Sequence, residues 1–378
     1  MKKNLILLSI ITFGFAYNGS ITGVTYFDYT CENDASAFNF NRQYPDYLFP
    51  GKTQFFDNDE FATFSSHRTI DSIGPGSWKI TARQIIDSAP DLVIYRFWNP
   101  FFGLSMGSIA KSISKISPEI KQIALCDNII PHESSFIDKW LTMRLFNQLD
   151  GFLVQSNRVA EELKNLIPNA NIETRYHPIY DNYGPTINKK DARKKHGITA
   201  KYLILYFGIV REYKGVDVLI RAAQFLKEKL EDFHILAVGE SYDSPEKYES
   251  LIHEFGVEDV FTWENRFVPD SEVASYFSAS DVMALPYHSA SQSGIIQIAY
   301  NYNIPVVVTD VGGLPEYVER GVSGEIVEVN NPDELATCLA NGLINGNFVK
   351  MSNNMDDIKS KFTWENFIDG IESLYSRI

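Results

Sequence analysis

The sequence predicts an α/β protein made of two doubly wound domains, each a parallel sheet covered by helices. Three observations carry this. Short apolar runs alternate with segments of helical periodicity through the second half of the chain. Runs such as YLILYFGIV at Tyr202–Val210 are apolar at successive positions, as strands buried on both faces should be. The length, 378 residues, suits two domains at roughly 100–200 residues each.

The elements follow in order. Lys2 and Lys3 precede an apolar stretch, Leu5 to Ala16. Charge before an apolar run resembles a signal peptide, but no small-x-small cleavage site follows in Ala16-Tyr17-Asn18-Gly19. The stretch also falls short of the ~20 residues that span a bilayer. It is read as a buried first strand at Asn4–Ile11. Further strands are expected at Leu92–Arg96, Gln122–Cys126 and Gly151–Val154, with helices at Phe136–Gln148 and Arg158–Leu166. Residues 28–75 are polar and aromatic without a clear period and receive no assignment. Asn182 to Gly197 contains Gly184-Pro185 and a basic run, Lys189, Lys190, Arg193, Lys194 and Lys195. This is read as a linker and a short helix with a solvated basic face.

Beyond it, apolar spacing at Val216, Leu219, Ile220, Ala223 and Leu226 predicts a helix over Val216–Leu230. Strands are expected at Phe233–Val238, Val260–Trp263, Asp281–Pro286 and Pro305–Thr309, and helices at Tyr248–Phe255, Gly294–Tyr300 and Pro332–Leu343. Asp270 is expected to cap a helix through Tyr276 and Phe277. The expected division is an N-terminal Rossmann-like domain at 1–183 and a second at 184–359, facing each other across a cleft. A final helix within 360–378, around Trp364–Tyr375, is expected to return to the first domain.

Composition narrows the function. Lys and Arg total 34 against 48 Asp and Glu, a net charge of −14. Such a chain is ill suited to broad phosphate-backbone contact, so no nucleic-acid partner is expected. Three dispersed cysteines, Cys31, Cys126 and Cys338, form neither a disulfide framework nor a zinc pattern and suit a reducing, cytoplasmic setting. No GxGxxG fingerprint with a downstream acid is present, which removes the basis for a nicotinamide enzyme.

Three loops at strand ends concentrate the chemistry. After Tyr202–Val210, Gly208 permits a tight path, and Arg211 and Lys214 stand just before a helix opened by Gly215. Two cations beside free helix N–H groups suit a diphosphate. His288-Ser289-Ala290-Ser291-Gln292-Ser293-Gly294 follows the strand DVMALP, and can present N–H groups to a ligand or cap a helix through Ser291 or Ser293. Thr309-Asp310-Val311-Gly312-Gly313-Leu314-Pro315-Glu316 follows PVVVT. There the paired glycines allow close ligand approach, Pro315 starts a helix, and Glu316 complements its first turn. Asp57-Asn58-Asp59 has the spacing of a cation-binding pair of carboxylates. It lacks a strand before it and is read as no metal site.

FGIVREYKGVDVLIRA and SDVMALPYHSASQSGIIQIAYNYNIPVVVTDVGGLPEYVERGVSG resemble the donor-binding domain of family-four glycosyltransferases of the GT-B fold. FNFNRQYPDYLFPGKTQ, PDLVIYRFWNPFFG and CDNIIPHE resemble a bacterial polysaccharide-biosynthesis branch of that family. The likeness spans most of residues 38–345. It implies a hexosyltransferase moving sugar from a nucleoside-diphosphate sugar to a glycan or lipid-linked acceptor. It also implies retained configuration, no metal and no cofactor beyond the nucleotide-sugar co-substrate, with contact at the inner membrane face.

The resemblance assigns Lys214 and Arg211 to the donor diphosphate, although Ile209 stands where the family more often has that Arg. A family Glu pair is absent, with Ser289, Ala290 and Ser291 near the first position and Gln297, Ile298 and Ala299 near the second. Gln297 is expected on the ribose, and Gln292, Ser293 and Gly294 on the sugar side, with Gly208, Gly312 and Gly313 lining the donor. Asp127 stands where relatives carry a strand-end His. Asp127 or His132 is expected to orient the acceptor hydroxyl, with Arg96, Trp98 and Glu133 on the acceptor side; Arg96 fits an ion-pair role equally. The usual first Gly-Gly is replaced by Asn18-Gly19-Ser20. These departures keep a non-catalytic module that binds a glycan or protein partner as the alternative.

Overall fold

A computed structural model describes residues 4–8, 34–45, 65–129 and 135–378. The chain forms two compact units, Met1–Tyr176 with Trp364–Ile378, and His177–Thr363.

The N-terminal unit holds a sheet of β1 (Asn4–Leu8), β2 (Asp34–Arg42), β3 (Ser65–Asp71), β4 (Leu92–Phe97), β5 (Lys121–Cys126), β6 (Gly151–Val154) and β7 (Ile172–Thr174), in the order β3-β2-β1-β4-β5-β6-β7. Every pairing is parallel. The β4–β5 register runs from Leu92↔Lys121 to Phe97↔Cys126. Side chains alternate across β4 as a pleat requires. Val93, Tyr95 and Phe97 join a core with α1 (Pro75–Asp87), α2 (Gly103–Ile116) and α3 (Phe136–Phe146). Leu92 and Ile94 pack instead with Phe367 and Leu374 of the C-terminal helix, Trp364–Arg377. Helices thus bury both faces, which explains the uninterrupted apolar runs.

Strands β2 and β3 occupy sequence that gave no periodic signal. β3, SSHRTID, is an edge strand, and an edge tolerates polar residues because one side lacks a partner strand. In α2 the hydroxyls of Ser108, Ser112 and Ser114 donate to the carbonyls of Leu104, Ser108 and Ala110 at 2.7, 2.9 and 3.1 Å. The hydroxyls are thus satisfied within the helix itself. The helix after Asn157 is α4 (Asn157–Leu166).

The second unit holds β8 (Tyr202–Phe207), β9 (Phe233–Val238), β10 (Phe261–Glu264), β11 (Val282–Leu285), β12 (Val306–Thr309) and β13 (Gly324–Val327) in the order β10-β9-β8-β11-β12-β13, again all parallel. The helices that follow or cover these strands are α5 (Lys189–Lys195), α6 (Val216–Lys227), α7 (Pro245–Glu254), α8 (Asp270–Ala279), α9 (Gly294–Asn301) and α10 (Pro332–Ile344), then α11 (Asn347–Asn353) and α12 (Met355–Lys359). The chain builds outward from β8 to β10, then reverses to the other side of β8 for β11 to β13. That reversal opens a crevice at the C-terminal ends of β8 and β11.

Several local expectations are corrected. Asp270 is not the cap of α8: Pro269 holds that position and Asp270 lies in the first turn. Pro315 begins only a single 3-10 turn, Leu314–Tyr317. In the basic run of α5, Lys190 and Lys194 are exposed as a solvated face requires, but two members are also anchored. Lys189 Nζ and Arg193 Nη2 each reach the Asp281 carboxylate at 2.5 Å.

Candidate functional site

The crevice is built from three loops. At the end of β8, Gly208 turns the chain with φ +125°. Val210 then bridges to Ser241 in the loop after β9. Glu212–Lys214 forms one 3-10 turn, and Gly215, at φ +66°, opens α6 without a side-chain cap. A Cβ on Gly215 would stand 1.9 Å from the Pro286 carbonyl oxygen, so this loop rides directly on the loop after β11. His288 secures the contact. Its backbone N–H donates to the Tyr213 carbonyl at 2.7 Å, and its Nε2 lies 3.0 Å from Asp217 Oδ1.

The loop after β12 locks on in the same way. Gly312 has φ +58°, and a Cβ there would fall 1.4 Å from the Ala290 carbonyl oxygen. The Gly313 N–H donates to the Ser291 carbonyl at 3.0 Å. The paired glycines therefore serve loop-to-loop contact, and the Gly313 donor is already engaged.

The cations of the first loop rest on aromatic rings. Arg211 is exposed, its guanidinium carbon 4.9 Å from the Tyr242 ring centroid. Lys214 is half-buried, its Nζ 5.6 Å from the Tyr287 centroid. Burial, reinforced by repulsion from Arg211, pushes the Lys214 ammonium down to about 8. Two mutually repelling cations at the uncapped N-terminus of α6 make a site of positive potential, which an incoming dianion relieves.

Residues expected on the donor sugar sit in the loop after β11. Gln292 is half-buried and its Oε1 accepts from the Tyr317 hydroxyl at 3.3 Å. Ser293 is buried, with its hydroxyl 3.3 Å from that of Tyr287; it stands at the N-cap of α9 but makes no cap bond. Gly294 faces the Tyr180 ring. Gln297 lies in α9. It is 0% exposed, and neither amide atom has a hydrogen-bond partner among the described residues.

In the N-terminal unit, Arg96 and Asp127 form a buried pair, Nε to Oδ2 at 3.1 Å, with side chains 6% and 3% exposed. Asp127 therefore does not stand open at its strand end. Burial raises its carboxyl against the lowering effect of Arg96. Its Oδ1 has no hydrogen-bond partner among the described residues. Trp98 is half-buried and packs on Phe102, centroids 4.5 Å apart. His132, Glu133, Asp57-Asn58-Asp59 and Asn18-Gly19-Ser20 lie outside the described residues. Among the described residues, no His, Cys, Asp and Glu cluster has metal-ligating geometry. Sequence reasoning named His288 only as part of its loop and missed Tyr242, Tyr287 and Tyr317; of these only Tyr287, directly after DVMALP, carried a positional signal.

Residues 188–361 match the family model of glycosyl transferases group 1. The chain is 30% identical over 195 residues to a D-inositol 3-phosphate glycosyltransferase of Corynebacterium aurimucosum, covering 49% of this chain and 45% of that protein. The chain thus spans about half the length of the curated relatives it matches. In fold it resembles sucrose-phosphate synthase from Thermosynechococcus elongatus, with TM-score 0.75, 15% identity and 100% and 99% of the two chains covered. It equally resembles the Anabaena protein HepE in complex with UDP, with TM-score 0.74, 16% identity and 100% of both chains covered. The fold is GT-B.

Proposed function

We propose that this chain, a GT-B protein whose residues 188–361 form a glycosyl transferases group 1 domain, is a glycosyltransferase that takes its sugar from a nucleoside diphosphate. The observation that carries this is the Arg211–Lys214 loop at the β8–β11 switch point, where Lys214 is held half-buried beside Arg211 at the start of α6. UDP is the first nucleotide to test, since HepE has been seen in complex with it.

In the reaction proposed, the bond between the anomeric carbon and the diphosphate oxygen breaks as an acceptor hydroxyl bonds to the same face of that carbon. The hydroxyl proton passes to the departing diphosphate. Negative charge grows on the leaving group, and Arg211, Lys214 and the α6 terminus oppose it; this preorganised electrostatic stabilisation needs no metal ion. Retention of configuration follows from attack on the departing side. Gln292 and Ser293 are assigned to the sugar, and the Arg96–Asp127 pair to the acceptor side.

The acceptor proposed is a glycan or a lipid-linked glycan at a membrane face. Among the described residues no helix is long and apolar enough to cross a membrane. Peripheral contact is supported by α3, where Phe136, Ile137 and Trp140 are 85%, 64% and 51% exposed around Lys139. The test of the function is sugar transfer from a panel of nucleotide sugars. Turnover that disappears in Lys214→Ala supports it, and no turnover with any donor, together with no nucleotide binding, removes it. Binding without turnover would favour the non-catalytic module, which the absent Glu pair and the enclosed Gln297 recommend as the second reading.

A further inference from the structure

We propose that Tyr317 is a positioning residue that fixes the Gln292 amide for the donor sugar and ties it to the segments where the chain enters and leaves the C-terminal unit. The inference rests on the donor-site reading above and deepens it.

Tyr317 is buried at 3% exposure, and its ring stacks on Phe362, centroids 5.8 Å apart with 15° between planes. Its hydroxyl joins two segments. It donates to Gln292 Oε1 at 3.3 Å and accepts the backbone N–H of His177 at 3.3 Å. His177 is the first residue of the unit. Two residues on, the Ile179 N–H donates to the carbonyl of Phe362, at the unit's other end, at 2.9 Å. The chain's entry and exit are therefore bonded to each other, and both touch one phenol.

A second link reaches the same loop. The His177 ring is 3% exposed, and Nδ1 lies 2.7 Å from the Pro178 carbonyl oxygen, which only accepts, so Nδ1 carries the proton. Nε2 then accepts from the Tyr180 hydroxyl at 3.0 Å. The Tyr180 ring lies against Gly294, where a Cβ would meet it at 3.1 Å. From the carbonyl side, the Tyr300 hydroxyl donates to the Tyr317 backbone oxygen at 2.9 Å.

The chemical consequence concerns the amide. With Oε1 held by a phenolic O–H, Gln292 offers its two N–H bonds to a ligand, and these donors match sugar hydroxyl oxygens. Without the hydroxyl the amide can turn, and donor and acceptor ends exchange. Arg211 and Lys214 are untouched, so the diphosphate contact stays. Tyr317 should thus set how well a sugar nucleotide is held relative to the bare nucleotide.

The test compares Tyr317→Phe, Gln292→Ala and the double variant with the wild type. Binding of UDP and of UDP-glucose, UDP-galactose and UDP-N-acetylglucosamine is measured by calorimetry, with amide exchange followed over 177–183. Tyr317→Phe keeps the stacked ring, so UDP affinity stays within about twofold while the preference for the best sugar nucleotide over UDP falls about three- to tenfold, the worth of one neutral hydrogen bond. Gln292→Ala loses the same preference, and the double variant loses no more, whereas a merely structural tyrosine would add its own loss. Sugar-nucleotide binding slows exchange at 177–183 in the wild type but not in Tyr317→Phe. An unchanged preference, additive losses, or equal protection in Tyr317→Phe overturns the proposal while leaving the donor site standing. A wild type that binds no nucleotide overturns the donor site and this proposal together.

Discussion

The Lys214 ammonium lies 5.6 Å from the centroid of Tyr287, half-buried, on a loop that Gly215 presses onto the Pro286 carbonyl. Water would solvate that charge better than this setting does, and the ammonium is accordingly pushed down to about 8. A cation kept where it is poorly solvated costs stability, and binding an anion recovers it.

It follows that Lys214→Met should stabilise the empty protein. The folded state depresses this group, so at pH 7 the unfolded chain holds the proton more readily and the folded state bears the cost of a charged, desolvated amine. Removing the charge while keeping the stem relieves that cost. A rise in melting temperature of about 2–4 °C at pH 7, shrinking as pH climbs from 8 toward 10.5, is the expected result by calorimetry. A fall would show that the ammonium is already well compensated.

Nucleotide affinity should depend on pH in a direction fixed by the same group. The protonated amine binds the diphosphate, and binding raises its pKa. Affinity for UDP is therefore level between about pH 7, where the terminal phosphate is already ionised, and about 8, and declines above it by up to about tenfold per pH unit. Titrations across the alkaline range check this. Lys214→Arg, which stays charged, should remove the inflection.

The Arg96–Asp127 pair yields a prediction on stability. Arg96→Leu strands a buried carboxyl and should cost about 3–5 kcal/mol in urea unfolding. Arg96→Leu/Asp127→Leu removes both charges and should recover most of it. A double variant as unstable as the single would mean that the pair orders more than itself.

Gly312→Ala tests the loop lock. The backbone is left-handed there, and the new Cβ would collide with the Ala290 carbonyl. The loops after β11 and β12 must part, at a cost above about 1 kcal/mol, and sugar-nucleotide affinity should fall with stability. Unchanged unfolding and binding would contradict the close approach.

The exposed start of α3 predicts cosedimentation with vesicles containing anionic lipid. Phe136→Ser/Trp140→Ser should reduce it, leaving UDP binding intact. Binding that the double substitution leaves unchanged would assign the contact elsewhere.

Much of the C-terminal unit was legible because its strands are buried on both faces, so Tyr202–Phe207 and Val306–Thr309 read as pure apolar runs. Lys214-Gly215 announced its helix start through a glycine that the left-handed backbone requires. The N-terminal edge was hidden because β3 is polar, and α2 because its serines satisfy themselves by back-bonding. At the site, the cations could be read from their place after a strand. Their seating on rings could not, since Tyr242 and Tyr287 belong to two other loops that only the strand order brings beside them. Asp127 was placed at the right strand end, but its burial against Arg96 depends on register between β4 and β5, which residue spacing does not convey.

The most direct measurement is calorimetric titration of the protein with UDP, GDP, ADP, CDP and dTDP, repeated with Lys214→Met. Saturable binding of one of these nucleotides, weakened by at least about tenfold when the ammonium is removed, is expected of a pocket built to hold a diphosphate. Nucleotide binding that survives intact without Lys214, or no binding by the wild type, would contradict it.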